Sequence, residues 1–529
     1  MNYEDFLTSV FPFPFHKKKF VRSFCACFLI LGLTAFTALA DGDDFQKIQT
    51  DDAKQLIKQA KKLARKGELE QAEKILREVV ERNPKDSNAR VTLGYVLLKQ
   101  RRLIEAYNFS FEVARDEPKN SYAFAVLGMT LLSAGNFADA KISFVNAIKL
   151  NNSEALAWSG LGMADFYENR ITLGIEKLQE AAFLEPSEPD FLFALAQVSA
   201  RGERYKESAE AYRRFLQVSP QTDRERRERI EGLIKFLSFL GNRQKPYGVD
   251  RASRTKVPFK LVNDRPVIQI KLQKKGEPLN FVLDTGSGIS VVSEETAQKM
   301  KIKSVARGGL ARGIGGSGKF EIVYGFLPSI YIGEVKIQGV PVYIRKFHTN
   351  DDRIDGYIGL SLISKFLTTI DYGDSTFALV NKNFPGMEKT AAEPLSLPLR
   401  LTSSGFLSGE VELEGIKVPL NFIVDTGATV SVISERLADS KEISPFITGG
   451  KMRVIGAAGI TEDVSSFLLP RISFGSHSRK SVMAIALDLD LINEASGFEQ
   501  AGILGGNFLK NYRLTFDFQN SKVVFVPVK

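Results

Sequence analysis

The chain has 529 residues, 44% of them hydrophobic and 25% charged, which is the composition of a folded soluble protein too long for one core. Its formal charge of +9 has no block that concentrates it, so the balance argues against nucleic-acid binding. Both cysteines, Cys25 and Cys27, lie in the first forty residues, so a chain cut after them has neither a disulfide nor a thiol nucleophile.

Residues 1–40 read as a targeting segment. Lys17, Lys18, Lys19 and Arg22 form a basic start, Phe24 to Thr37 is apolar, and Ala38-Leu39-Ala40 is a small-x-small cleavage site before the polar Asp41-Gly42-Asp43-Asp44. The apolar run is short for a membrane span. An exported protein is expected, periplasmic or extracellular, with the segment either removed or kept as an N-terminal anchor. After cleavage no stable membrane span remains, and the charge falls to +7 with the loss of four cations and two anions.

From residue 53 to 222 a period of 34 governs the chain. Pro84, Pro118, Asn152, Pro186 and Pro220 share one register, Gly94, Gly128, Gly162 and Ala196 a second, and Ala72, Ala106, Ala140, Gly174 and Ser208 a third. Small residues recur where the two helices of a hairpin must approach. These positions resemble the tetratricopeptide repeat in five units. The resemblance implies an all-α solenoid that binds a protein partner through its concave groove. Trp158 and Phe124 are expected in its core. Residues 223–242, with Ile230, Leu233, Ile234, Leu237 and Leu240 on one face, predict a capping helix. The alternating run Arg224 to Arg229 predicts a solvated face with i,i+4 pairs. Residues 243–256, with Pro246 and Gly248, read as a linker.

From residue 257 the pattern changes to short alternating strands, which predicts an all-β region. One stretch occurs in it twice. Residues 281–293 read FVLDTGSGISVVS and residues 422–434 read FIVDTGATVSVIS, placing Asp284 and Asp425 in Asp-Thr-Gly loops 141 residues apart. A given Asp-Thr-Gly arises by chance in about one chain in ten of this length, so two in matching frames mark a duplication. The segment Arg312 to Gly318 likewise matches Arg453 to Gly459. Tyr357-Ile358-Gly359 matches Ile503-Leu504-Gly505 after a net insertion of five residues between about 460 and 500. Two lobes are expected, at 257–385 and 397–529, joined by a linker at 386–396.

Both halves resemble retropepsin-like aspartic proteases, here with the two lobes on one chain. The resemblance implies a two-lobed acid-protease fold behind the solenoid and an aspartic endopeptidase. Asp284 and Asp425 would form its catalytic pair. Thr285, Gly286, Ser287, Thr426, Gly427 and Ala428 would support the active-site loops. Ile314, Gly315 and Gly316 of one flap, with Ile455, Gly456 and Ala457 of the other, would close over a peptide or protein substrate. Paired carboxylates suit this chemistry because two so close cannot both ionise, leaving one as base and one as acid. Because Ser287 stands where the second lobe has Ala428, we expect its hydroxyl to donate to Asp284 and make Asp284 the more acidic of the pair.

Other chemistries fit less well. Gly313, Gly315 and Gly318 satisfy a G-x-G-x-x-G pattern, but Phe320 and the strand-like Glu321-Ile322-Val323-Tyr324 follow where a nucleotide site needs a hydroxyl and a helix. His348 and His477 have no metal-ligand spacing and are expected in surface loops, so neither a metal nor a cofactor is called for. Asp371 and Asp517 are expected to be structural, and Asp355, opposite Ala501, is expected to have no paired role. The competing reading is a retired protease that captures extended peptides without cutting them, beside a repeat module for interaction.

Overall fold

The computed structural model of the protein describes residues 42–221, 223–243, 245–250, 253–348, 354–384, 396–398 and 400–528. The targeting segment and nearly all of the inter-lobe linker lie outside the described residues. Among the described residues no helix is long and apolar enough to cross a membrane.

The 34-residue period produces ten paired helices and a cap. They are α1 (Gly42–Arg65), α2 (Leu69–Arg82), α3 (Ser87–Lys99), α4 (Leu103–Asp116), α5 (Ser121–Ser133), α6 (Phe137–Leu150), α7 (Ala155–Tyr167), α8 (Ile171–Leu184), α9 (Pro189–Arg201), α10 (Tyr205–Val218) and α11 (Arg224–Gly241). Asp86 and Asn120, one repeat apart, cap α3 and α5 by accepting from the amides of Ala89 and Ala123. The small-residue register is used for close helix packing: a Cβ on Gly94 would sit 3.4 Å from the Ala106 carbonyl oxygen, and one on Gly162 would sit 3.0 Å from that of Gly174. Phe124 and Trp158 are half-buried against this core.

The turn between the helices of each hairpin holds one residue with positive φ, and these residues fall 34 apart: Gly67, Arg101, Gly135, Asn169 and Glu203. Four of the five meet the β region. Arg101 pairs with Glu499, and Gly135 packs on the Asn421 side chain. Asn169 donates to the Phe518 carbonyl at 2.8 Å, and Glu203 pairs with Lys365. The solenoid therefore docks on the β region by one edge.

The first lobe contains β1 (Arg254–Pro258), β2 (Lys260–Val262), β3 (Arg265–Ile270), β4 (Leu279–Leu283), β5 (Ser290–Ser293), β6 (Ser304–Arg312), β7 (Lys319–Ile332), β8 (Val335–Arg345), β9 (Gly356–Ile358), β10 (Phe366–Asp371) and β11 (Thr376–Asn381). The second contains β12 (Ser396–Pro398), β13 (Arg400–Leu401), β14 (Leu407–Leu413), β15 (Leu420–Val424), β16 (Ser431–Ser434), β17 (Ile447–Gly456), β18 (Gly459–Phe474), β19 (His477–Leu487), β20 (Gly502–Leu504), β21 (Tyr512–Asp517) and β22 (Lys522–Pro527). Each lobe has an eight-stranded sheet, ordered β2-β3-β4-β9-β5-β8-β7-β6 and β13-β14-β15-β20-β16-β19-β18-β17. A six-stranded sheet, β1-β11-β10-β21-β22-β12, joins the lobes through the β10–β21 pair. The extra residues of the second lobe include the helix Asp490–Ser496.

Three expectations need correction. His477 is no surface residue: it is buried against Tyr512 and Phe525, and burial pushes its imidazole below the usual value. The run at the start of α11 is not a solvated ladder, because Glu225 pairs with Lys319 of β7 at 2.7 Å and Arg226 lies over the rings of Phe193 and Phe215. Arg227 reaches back to the Leu216 carbonyl at the end of α10. The segment between α11 and β1 is anchored as well, since Tyr247 is buried and donates to the Ser361 hydroxyl at 2.9 Å.

Candidate active site

Each Asp-Thr-Gly loop follows a strand buried at the centre of its sheet. Leu279, Phe281 and Leu283 of β4 are buried, as are Leu420, Phe422 and Val424 of β15, so alternation turns Asn280 and Asn421 away from the core. β4 and β15 pair in parallel with β9 and β20. That pairing continues into the loops, where the Asp284 amide donates to the Ile358 carbonyl and the Asp425 amide to that of Leu504, both at 3.0 Å. Gly359 and Gly505 permit the contact, since a Cβ at either would press at 2.6 Å on the backbone of Ile289 or Val430.

Two threonines tie the loops together. The Thr285 hydroxyl donates to the Val424 carbonyl at 2.6 Å and accepts from the Thr426 amide at 3.1 Å. Reciprocally, the Thr426 hydroxyl donates to the Leu283 carbonyl at 2.7 Å and accepts from the Thr285 amide at 3.2 Å. Both side chains are fully buried. The result brings the carboxyls of Asp284 and Asp425 together: a Cβ on Gly427 would stand 2.7 Å from Oδ1 of Asp284 and 3.1 Å from Oδ1 of Asp425.

Burial pushes both carboxyls above the usual range, Asp284 further because the charge of Asp425 adds to the effect. Asp425 is better supplied with donors. The Gly427 amide reaches its Oδ1 at 2.7 Å, and the amides of Ala428 and Gly286 also favour its charged form. Ser287 does not contribute as expected: its hydroxyl donates to the Ile289 carbonyl at 2.7 Å, not to Asp284. The donation expected to make Asp284 the more acidic member is therefore absent, and the Gly427 amide favours charge on Asp425 instead.

The β6–β7 and β17–β18 hairpins meet above the pair. The Ala458 amide donates to the Ile314 carbonyl at 2.9 Å, and the Gly316 amide to the Ile460 carbonyl at 3.2 Å. Gly315 and Gly316 have φ of +91° and +52°, and Cβ atoms on Gly315 and Gly456 would collide with backbone of the facing flap. Ile455, by contrast, is exposed. Beneath the flaps lies a cavity of about 1500 Å³ whose wall includes both aspartates.

Part of that wall comes from the solenoid, including Arg201, Tyr212, Arg229 and Phe236. Arg201 Nη2 is buried without a hydrogen-bond partner. Helix α11 lies along β6, where a Cβ on Gly232 would strike the Arg307 carbonyl, and Phe236 stacks on Tyr324 with centroids 4.5 Å apart. Sequence reasoning missed this roof and also Arg345, a wall residue at the end of β8. Asp355, Asp371 and Asp517 lie elsewhere and bind backbone amides: Asp355 that of Asn280, Asp371 that of Gly373, Asp517 that of Asn520.

Two β lobes that each lend one aspartate to a facing pair beneath paired hairpins define the aspartic-protease fold. The aspartyl protease family model matches residues 268–362 and 409–508, and the tetratricopeptide repeat model matches 57–109 and 160–222. The chain is thus a tetratricopeptide-repeat solenoid fused to an aspartyl-protease domain.

Among solved structures, the solenoid is similar to the tetratricopeptide protein TTC0263 of Thermus thermophilus, with 18% identity, 36% of this chain and 100% of that chain covered, and a TM-score of 0.30. It is also similar to PilF of Pseudomonas aeruginosa, with 16% identity, 36% and 86% covered, and a TM-score of 0.28. A third, YrrB, described as a tetratricopeptide protein with an unusual peptide-binding site, shares 20% identity over 34% of this chain and 93% of that one, with a TM-score of 0.22. A search of curated proteins returned no match.

Proposed function

We propose that the protein is an aspartic endopeptidase whose repeat solenoid is a protein-interaction module, exported by residues 1–40. The observation that carries this reading is the closely facing Asp284–Asp425 pair on the wall of a flap-covered cavity. In the mechanism, Asp425 is the ionised member, held so by its donors, and takes a proton from the attacking water. Asp284 holds the shared proton and donates it to the scissile carbonyl oxygen as the tetrahedral species forms. That species collapses with proton transfer to the leaving amine, and no bond to the protein is made. The flaps supply backbone donors and acceptors to an extended peptide and exclude bulk water.

The test is cleavage of a broad peptide library between pH 3 and 7. Asp284→Asn and Asp425→Asn are each expected to lower cleavage by about 1000-fold or more while peptide binding persists. Absence of cleavage by the wild-type protein throughout that range would overturn the reading and favour a peptide-capturing scaffold.

A further inference from the structure

The flaps and walls of the two lobes are not equivalent, and the difference has a chemical sense. Each lobe continues from the strand after its Asp-Thr-Gly loop to a parallel neighbour, and the last pairs are Ser293 with Arg345 and Ser434 with Leu487. Arg345 and Leu487 are thus counterparts, and both line the cavity. On the second lobe, Leu487 belongs to a buried aliphatic cluster with Val432, Ile492 and Ile503, against which Ile314 of the opposite flap packs. On the first lobe the corresponding place is cationic. The Arg345 Nη1 donates to the Ala457 carbonyl of the opposite flap at 3.2 Å.

The guanidinium lies in an aromatic cradle, 4.9 Å from the Phe347 ring centre, 5.5 Å from that of Phe320 and 5.7 Å from that of Tyr357. Besides its flap contact it feels the field of Asp284. Among the described residues, no aspartate or glutamate forms an ion pair with it. A charge removed from water is costly until it is paired, and a rigidly stacked guanidinium presents a fork suited to a carboxylate. The remaining wall has the same sign: apart from Arg345 it carries nine lysines and arginines against four carboxylates other than the dyad.

We propose that Arg345 forms a specificity site for an aspartate or glutamate side chain immediately beside the scissile bond, with an aliphatic residue taken by the Leu487 side of the cleft. The inference rests on the endopeptidase reading and names its substrate class: extended acidic peptides with one acidic and one aliphatic residue flanking the cut.

The experiment uses octapeptide mixtures with Glu or Gln fixed at each position in turn, the full chain, and the variants Arg345→Met and Arg345→Lys, with their fold checked by circular dichroism. The wild type is expected to show a Glu-to-Gln ratio in kcat/KM on the order of 100 at one position flanking the cut. The ratio should fall to about one in Arg345→Met and stay well above one in Arg345→Lys, where the charge survives but the fork is lost. No acidic preference in the wild type, or an equal loss on Glu and Gln peptides in Arg345→Met, overturns the proposal and makes Arg345 a strut for the flap. If the wild type cuts nothing, the catalytic reading falls, and binding decides the subsite separately. Tighter binding of Glu than Gln mixtures by the wild type but not by Arg345→Met supports it, and equal binding overturns it.

Discussion

Gly286 and Gly427 decide how closely the two carboxyls approach. A Cβ on Gly286 would run into the carboxyl of Asp425, and one on Gly427 would stand 2.7 Å from Oδ1 of Asp284. Gly286→Ala must therefore push the pair apart, and a displacement near 1 Å is expected to lower kcat by about 100-fold. A matching loss of the coupled, two-step titration would trace the effect to the dyad. The pair also sets a stability cost with a definite sign. A carboxyl whose native pKa lies above its unfolded value binds its proton more tightly when folded. The native state therefore loses stability as pH rises from the unfolded value through the native one. Asparagine cannot ionise, so Asp284→Asn should melt above the wild type at pH 7 and with it near pH 3. A lower melting temperature at pH 7 would contradict the assignment of the shared proton to Asp284. The Asp-Thr-Gly signature made both aspartates legible, but the Ser287 hydroxyl had two acceptors within reach. Sequence could not tell that the Ile289 carbonyl takes it, so Ser287→Ala should leave the acidic limb of the pH profile unmoved.

At the scale of elements, the threonine cross-link and the α11–β6 contact show opposite kinds of dependence on side chains. Thr285→Val keeps the shape but leaves the Val424 carbonyl and the Thr426 amide without partners inside a dry interface. At about 1–3 kcal/mol for each orphaned group, the β domain should lose roughly 2–6 kcal/mol in chemical denaturation, whereas Thr285→Ser should lose about 1 kcal/mol. At Gly232 the missing side chain matters instead. Alanine there favours an isolated helix by about 1 kcal/mol, yet its Cβ would strike the Arg307 carbonyl of β6. Gly232→Ala is expected to keep the helix while amide exchange in residues 304–312 accelerates. Unchanged exchange would mean that α11 does not hold the flap. The apolar period of α11 identified a cap, but a helix with a second packed face reads the same as one facing water when its partner lies about seventy residues away.

For the whole molecule, the question is what a docked solenoid does to a cleft it partly roofs. The docking edge is built from positive-φ turn residues that recur every 34 positions, and in the sequence such turns look like ordinary solvent-facing ends of hairpins. Their period was readable, while the surface they meet was fixed only by folding of the β lobes. Glu203 is central to that edge, since it pairs with both Lys365 of the first lobe and Lys245 of the connecting segment, and it borders the cavity. Burial raises its pKa, but the charges and hydrogen bonds of Lys365 and Lys245 outweigh burial, so its carboxyl is held below the usual range. A group with a depressed native pKa contributes stability above its unfolded value and loses it as pH falls through the native one. Acidification toward the low end of carboxylate titration should therefore loosen the edge while the shared dyad proton is still in place. Small-angle scattering of the full chain from pH 7 to pH 3 should show the radius of gyration rising at constant helical content. Glu203→Gln should be expanded already at pH 7 and change less on acidification, because two lysines have lost their counter-charge at every pH. A radius independent of pH in the wild type, or a variant as compact as the wild type at pH 7, would show that apolar contacts such as Phe236 on Tyr324 hold the roof without the ion pairs. In that case entry to the dyad would depend on the flaps alone.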